Sequence, residues 1–143
     1  MHYFDTSAVI PLVIPEPLSE RVERYVQSLA VGNLATGLWT NVEIASAIAR
    51  KRRTKDFDEA MASDAAKDFQ SIFTNSFELL DTTREDYDLA RRFLLGPMTG
   101  LRAGDALHLA IAANRGADRI CTLDQTMLKA GRILGLPMET EIK

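Results

Sequence analysis

Apolar positions along this chain fall into two patterns: short unbroken runs, and longer segments in which they recur at helical spacing. The two alternate from end to end, as they do in a parallel sheet covered by helices, so the pattern predicts an α/β fold. His2 to Phe4 is a first strand ending at Asp5. Ser19 is placed to cap a helix running to about Leu29, with Val22, Tyr25, Val26 and Leu29 on one face. A short strand at Leu34 to Thr36 precedes a helix from Trp39 to Arg53, predicted to bury Val42, Ala45, Ile48 and Ala49. Glu43 and Arg50 lie seven residues apart on that helix and share a face flanking the buried stripe. Phe57, Met61, Ala65, Phe69 and Phe73 recur every four residues and predict a third helix, with Phe77 to Leu80 a strand behind it. Thr82 to Glu85 has capping-box spacing and starts a helix carrying Tyr87, Ala90 and Leu94, which stops at Gly96-Pro97. After an irregular loop through Gly100 to Gly104, Asp105 opens a helix that is apolar nearly all round and ends at Gly116, so it belongs at the centre. Arg119 to Leu123 reads as a strand ending at Asp124, Gln125 to Leu134 as a helix closed by Gly135, and Pro137 to Ile142 as an edge strand.

The 143 residues, 46% hydrophobic and 26% charged, predict one domain over 1–143, long enough to bury a core without covalent staples. Prolines and glycines are scattered and no motif repeats, which excludes disordered and solenoid readings. Cys121 is alone and the start lacks the pattern of a signal peptide, so a cytoplasmic location is expected. The run Ala8 to Ile14 is interrupted by Pro11 and falls far short of the roughly 18 residues of a bilayer span, so no membrane partner is expected. A net charge of -3 argues against a uniformly basic nucleic-acid binder. Five of the 17 bases nevertheless fall together, at Arg50, Lys51, Arg52, Arg53 and Lys55. Such a cluster either contacts phosphates or is a solvated helix end.

The chemistry lies in the acids. Asp5 and Asp124 sit where predicted strands end, the edge at which open α/β sheets bind ligands, and Asp105 sits at a helix N-terminus. Singly, each is explained as a cap or turn former. Together, carboxylates converging on one crevice repel each other unless a cation neutralises them. Oxygen ligands without cysteine or histidine pairs suit Mg²⁺ or Mn²⁺ rather than zinc, and such ions activate water against phosphodiesters.

The segments FDTSAVIPL, NVEIASAIARKR, LRAGDALHLAIAANRGAD and ICTLDQTMLKAGRILGLP resemble, in order, the blocks of PIN-domain ribonucleases, specifically the VapC-type toxins of toxin–antitoxin pairs. The resemblance covers nearly the whole chain and rests above all on GDALHLA and TLD. It implies a three-layer fold with a parallel sheet of about five strands between helices. The acid set it implies is Asp5, Glu43, Asp105 and Asp124. Asp5, Asp105 and Asp124 would hold Mg²⁺, or Mn²⁺, directly or through water, and Glu43 would complete the pocket. The expected activity is metal-dependent endoribonucleolytic cleavage of RNA. The expected partners are a VapB-type antitoxin and a second copy in a homodimer, with helices near Phe57 to Phe73 at its interface. One departure stands before Glu43, where Thr36-Gly37-Leu38-Trp39-Thr40 lacks an evident counterpart of a serine usual in the family.

Around the acids, Ser7 and Thr122 are placed to hydrogen-bond a carboxylate or a metal-bound water, and Thr6 stays open between that role and turn chemistry. Arg50, Arg52 and Arg53 are assigned to the RNA backbone because Arg50 shares a face with Glu43. His108, one turn after Asp105 on an apolar helix, reads as a core histidine rather than an acid–base catalyst, and Cys121 as core. A phosphoryl-transfer domain fits poorly, since Ser7 stands where an aspartate-nucleophile phosphatase needs an acid. A housekeeping RNA-processing nuclease and a non-catalytic binding module are the remaining alternatives.

Overall fold

The computed structural model describes residues 1–142. Its sheet holds four parallel strands, β1 (His2–Phe4), β2 (Leu34–Gly37), β3 (Glu78–Leu80) and β4 (Arg119–Cys121), in the order β3-β2-β1-β4. His2 stands opposite Leu34 on one side and Arg119 on the other, so β1 is central. The helices are α1 (Thr6–Val9), α2 (Ser19–Ser28), α3 (Trp39–Arg53), α4 (Glu59–Asn75), α5 (Arg84–Leu95), α6 (Ala103–Asn114) and α7 (Gln125–Ile133).

Both faces of the sheet are covered, and strand alternation divides the core between them. Phe4 and Cys121 face a cluster built with Val22 of α2, Ile44 and Ile48 of α3, and Phe69 and Phe73 of α4. Tyr3 and Ile120 face the other cluster, with Ala90 of α5, Leu109 and Ile111 of α6, and Met127 of α7. Helix α6 is buried at every position from Ala106 to Ala112, which explains its nearly continuous apolar sequence. Its alanines let it approach α5 closely.

Several boundaries differ from the sequence reading, each for a local reason. The fifth strand expected at Pro137 to Ile142 is reduced to one bridge between Ile120 and Met138. Just beyond it the Glu139 carboxylate accepts the N–H groups of Thr140 and Glu141, turning the backbone away from the sheet. In α3 the buried stripe is Thr40, Ile44 and Ile48, whereas Val42 is 55% exposed and Ala45 is also exposed. Helix α5 is capped one residue later than expected: the Thr83 N–H donates to Asp86 at 2.8 Å. Asp86 is buried there because it also accepts from Asn114 and Arg115 at the end of α6. Ser19 does not cap α2; its hydroxyl accepts the Glu16 N–H in the preceding turn. Helix α6 starts at Ala103 rather than at Asp105, and β4 ends at Cys121 rather than at Leu123. The short α1 was not expected, and Asp5 caps it by accepting the Ala8 N–H.

Candidate active site

From β1 the chain winds outward through β2 and β3, then returns to β1's other edge as β4. The order therefore reverses between β1 and β4, and a crevice opens outside their carboxyl ends. Asp5 leaves β1 directly into this crevice, tied to β4 by its N–H to the Cys121 carbonyl at 3.1 Å. A cleft of about 560 Å³ lies there, and Asp5, Glu43, Asp105 and Asp124 all line it.

Asp5 forms its floor and is only 4% exposed. Its Oδ1 accepts the Ser7 hydroxyl at 2.7 Å and the Ala8 N–H at 3.1 Å, and its Oδ2 accepts the Thr122 hydroxyl at 2.8 Å. All three donors are neutral. Burial pushes the Asp5 carboxyl above the usual carboxylate range; the field of His108 and the bonds from Ser7, Thr122 and Ala8 hold back part of the rise. Thr122 also accepts the Asp124 N–H at 3.0 Å, and the Ser7 hydroxyl accepts the Leu123 N–H at 2.9 Å. The two hydroxyls thus lock the Asp5 and Asp124 loops together.

Asp105 and Asp124 are both helix-capping residues. Asp105 accepts the Arg102 N–H through Oδ2 at 3.0 Å, and Asp124 accepts the N–H groups of Thr126 and Met127 through Oδ1 at 2.7 and 2.9 Å. Capping uses one oxygen of each, and among the described residues the other oxygen has no hydrogen-bond donor. Glu43 is held differently: its Oε2 accepts from Thr6 Oγ1 and lies 2.6 Å from His108 Nε2. Burial works against its charge, but the bond and field of His108 outweigh it, with Thr6 and the nearby Trp39 indole adding to the effect. The Glu43 carboxyl therefore sits below its ordinary range. The four acids share a cleft without forming one ligating cluster: among the described residues, no three His, Cys, Asp or Glu side chains come close enough to hold a single ion.

Three of the bases reach the cleft, Arg50 and Arg53 from α3 and Arg102 from the start of α6. Arg52 does not line it; its Nε donates to Glu59 at 3.1 Å. Lys51 lies over the Phe57 ring, 5.3 Å from its centroid. The sequence reading of His108 as buried is right, at 2% exposed, but it missed the bond to Glu43. The signal was the three-residue step from Asp105, which brings both side chains to the same cleft. Gly104 was missed too: a Cβ there would stand 2.9 Å from Glu43 Oε1.

The family model described as PIN domain matches residues 2–133. Ribonuclease VapC46 of Mycobacterium tuberculosis (strain ATCC 25618 / H37Rv) is 30% identical over 139 residues, spanning 94% of this chain and 92% of that protein. Among solved structures, the Mycobacterium tuberculosis VapC20, a sarcin-ricin loop cleaving toxin, superposes with a TM-score of 0.70 at 19% identity, over 92% of this chain and 95% of that one. VapBC-1 from nontypeable Haemophilus influenzae gives a TM-score of 0.72 at 14% identity over 100% of both chains. At these identities the solved structures speak to the fold.

Proposed function

Because this chain belongs to the PIN-domain family, among its VapC-type members, we propose that it is a metal-dependent endoribonuclease and the toxin of a type II toxin–antitoxin pair. The observation that carries the reading is Asp5: a carboxylate 4% exposed, bonded only by neutral donors, on the floor of a cleft lined by three further acids. That donor set fits a hard divalent cation. It is all oxygen, and Asp105 and Asp124 each keep one oxygen without a donor.

Asp5, Asp105 and Asp124 would hold Mg²⁺, or Mn²⁺, largely through its bound waters, since among the described residues no three acids stand close enough to ligate one ion together. Such an ion, when bound, would polarise the phosphodiester and ease loss of a proton from a bound water, so that hydroxide is available to attack. The chain's own residues do the rest. Ser7 and Thr122 fix the orientation of Asp5 by donating to both of its oxygens. Glu43, kept ionised, completes the acidic pocket with its negative charge, its Oε2 held by Thr6 and His108 and its Oε1 seated against Gly104. Arg50, Arg53 and Arg102 hold the flanking phosphates. Arg52, paired with Glu59, plays no part in that.

The partners follow from the same reading: RNA as substrate, a VapB-type antitoxin as inhibitor, and a second copy of the chain. The apolar stripe of α4 is spent internally, with Phe69 and Phe73 buried in the chain's own core. For the homodimer we favour the face of α5, where Tyr87, Leu94 and Leu95 are exposed beside an apolar groove floored by Trp39 and Leu107. No helix is long and apolar enough to cross a membrane among the described residues.

The test is cleavage of RNA oligonucleotides with Mg²⁺ or Mn²⁺ and with chelator, for the native protein and Asp5→Asn. The expected result is cation-dependent cleavage leaving 5′-phosphate and 3′-hydroxyl ends, abolished by the substitution. Cleavage that survives Asp5→Asn, or ends carrying 2′,3′-cyclic phosphate, would overturn it, the latter pointing to general acid–base chemistry.

A further inference from the structure

We infer that His108 is a positioning residue of this site: clamped by Tyr3, it pins the Glu43 carboxylate against Gly104 in the orientation the reaction uses. The inference deepens the nuclease reading and rests on it for the role of Glu43.

The geometry is a continuous line from the core to the cleft. Tyr3 is fully buried on the central strand β1, and its hydroxyl lies 2.8 Å from His108 Nδ1. His108 Nε2 lies 2.6 Å from Glu43 Oε2 and 3.2 Å from Thr6 Oγ1. Glu43, as a carboxylate, only accepts, so Nε2 must carry the proton that it shares with Glu43. Nδ1 has the Tyr3 hydroxyl as its partner, which donates to it in the neutral ring and accepts from it in the charged one. Both ring nitrogens are engaged, which fixes the ring plane and keeps a proton on Nε2.

Two glycines make room for this line. A Cβ at residue 37 would stand 2.9 Å from the Tyr3 hydroxyl oxygen, and a Cβ at residue 104 would stand 2.9 Å from Glu43 Oε1. Gly104 opens α6 beside Asp105, so the helix that carries His108 also shapes the seat of the carboxylate that His108 bonds. A glutamate free on a helix surface samples several rotamers. Here Oε2 is bound twice and Oε1 abuts backbone, so the carboxylate meets the substrate already placed. Satisfying a core histidine would not require its donor nitrogen to be spent on a residue that lines the cleft.

The experiment combines steady-state cleavage of a single-stranded RNA oligonucleotide with ¹⁵N NMR of the imidazoles in the full chain. His108→Leu should lower kcat by about ten- to a hundredfold, the scale of losing a hydrogen bond to a charged group, and leave KM within about twofold. His108→Gln, whose amide still donates toward Glu43, should recover part of that loss. Tyr3→Phe should cost kcat less than His108→Leu does. Gly104→Ala displaces only the flexible end of Glu43, so it should fold and lose kcat with KM held, and it carries the test if His108→Leu does not fold. The NMR spectrum should show His108 protonated at Nε2, with that proton shifting in Glu43→Gln. An Nδ1–H tautomer overturns the inference, as do folded Leu and Ala variants with native kcat, or a Gln variant no better than Leu. If the native protein cleaves no RNA, the nuclease reading fails, and the tautomer and its response to Glu43→Gln still decide the contact.

Discussion

Asp5 and Glu43 are both acids of one cleft, yet burial and bonding move them in opposite directions, and each direction has a measurable sign. Asp5 has its carboxyl raised, so the folded state binds its proton more tightly than the unfolded chain does. That contribution favours folding below the unfolded value of about 3.9 and is lost as pH rises through the folded value. At neutral pH the ionised group therefore opposes folding. Asparagine can keep the bonds, because Oδ1 still accepts from Ser7 and Ala8, and its amide donates to Thr122 once that hydroxyl turns toward Ser7, 3.2 Å away. Without added cation, Asp5→Asn is expected to melt a few degrees above the native protein at pH 7, on the order of 1 kcal/mol, with the gap closing in acid. Calorimetry at both pH values checks this, and a lower melting temperature at pH 7 contradicts it. Glu43 has its carboxyl lowered, so its contribution is present above the unfolded value of about 4.3 and is lost as pH falls through the folded one. Urea unfolding between pH 6 and 3 is expected to show a shallower acid loss for Glu43→Gln than for the native chain. The effect is modest, since the side chain is 29% exposed.

At the scale of elements, α3 does two jobs on two faces: it packs Thr40, Ile44 and Ile48 inward and turns Glu43, Arg50 and Arg53 to the cleft. In an Asp5→Asn background that prevents cleavage, removing Arg50 and Arg53 together should flatten the dependence of log RNA affinity on log salt by up to roughly 1.4, about 0.7 for each phosphate no longer neutralised. Arg52→Ala should leave the slope unchanged, because Glu59 already holds that guanidinium. Anisotropy titrations across salt concentrations distinguish the two. This helix also shows where the sequence stops being legible. Its extent from Trp39 to Arg53 and the shared face of Glu43 and Arg50 follow from helical spacing alone. Its phase does not: apolar side chains fill most positions from Val42 to Ala49, so the period is nearly silent, and the bulky pair Ile44 and Ile48 decides which side goes in. Strand β1, α6 and the acids after β1 and β4 were readable because each couples an apolar run to a polar stop. The four-residue α1 is too short to carry a period. The hydrogen bond from His108 to Glu43 joins side chains 65 positions apart, which no local pattern encodes.

For the molecule as a whole, the exposed apolar surface of α5 asks for a partner. Tyr87 is 59% and Leu95 74% exposed, and both Tyr87 and Leu94 border the groove beside Trp39. For the homodimer proposed on this face, Leu94→Arg combined with Tyr87→Glu is expected to give a monomer by sedimentation without loss of secondary structure, since neither residue belongs to the core. A dimer that survives both charges assigns the face to another partner. The central place of β1 has a consequence in time. Asp5 lies 117 positions before the hydroxyl of Thr122 that steadies it, and β4 and the facing Asp124 flank that hydroxyl in sequence. Contacts this distant in sequence close late and slowly. A chain cut short before residue 119 therefore cannot assemble the cleft, because it lacks β4, Thr122 and Asp124.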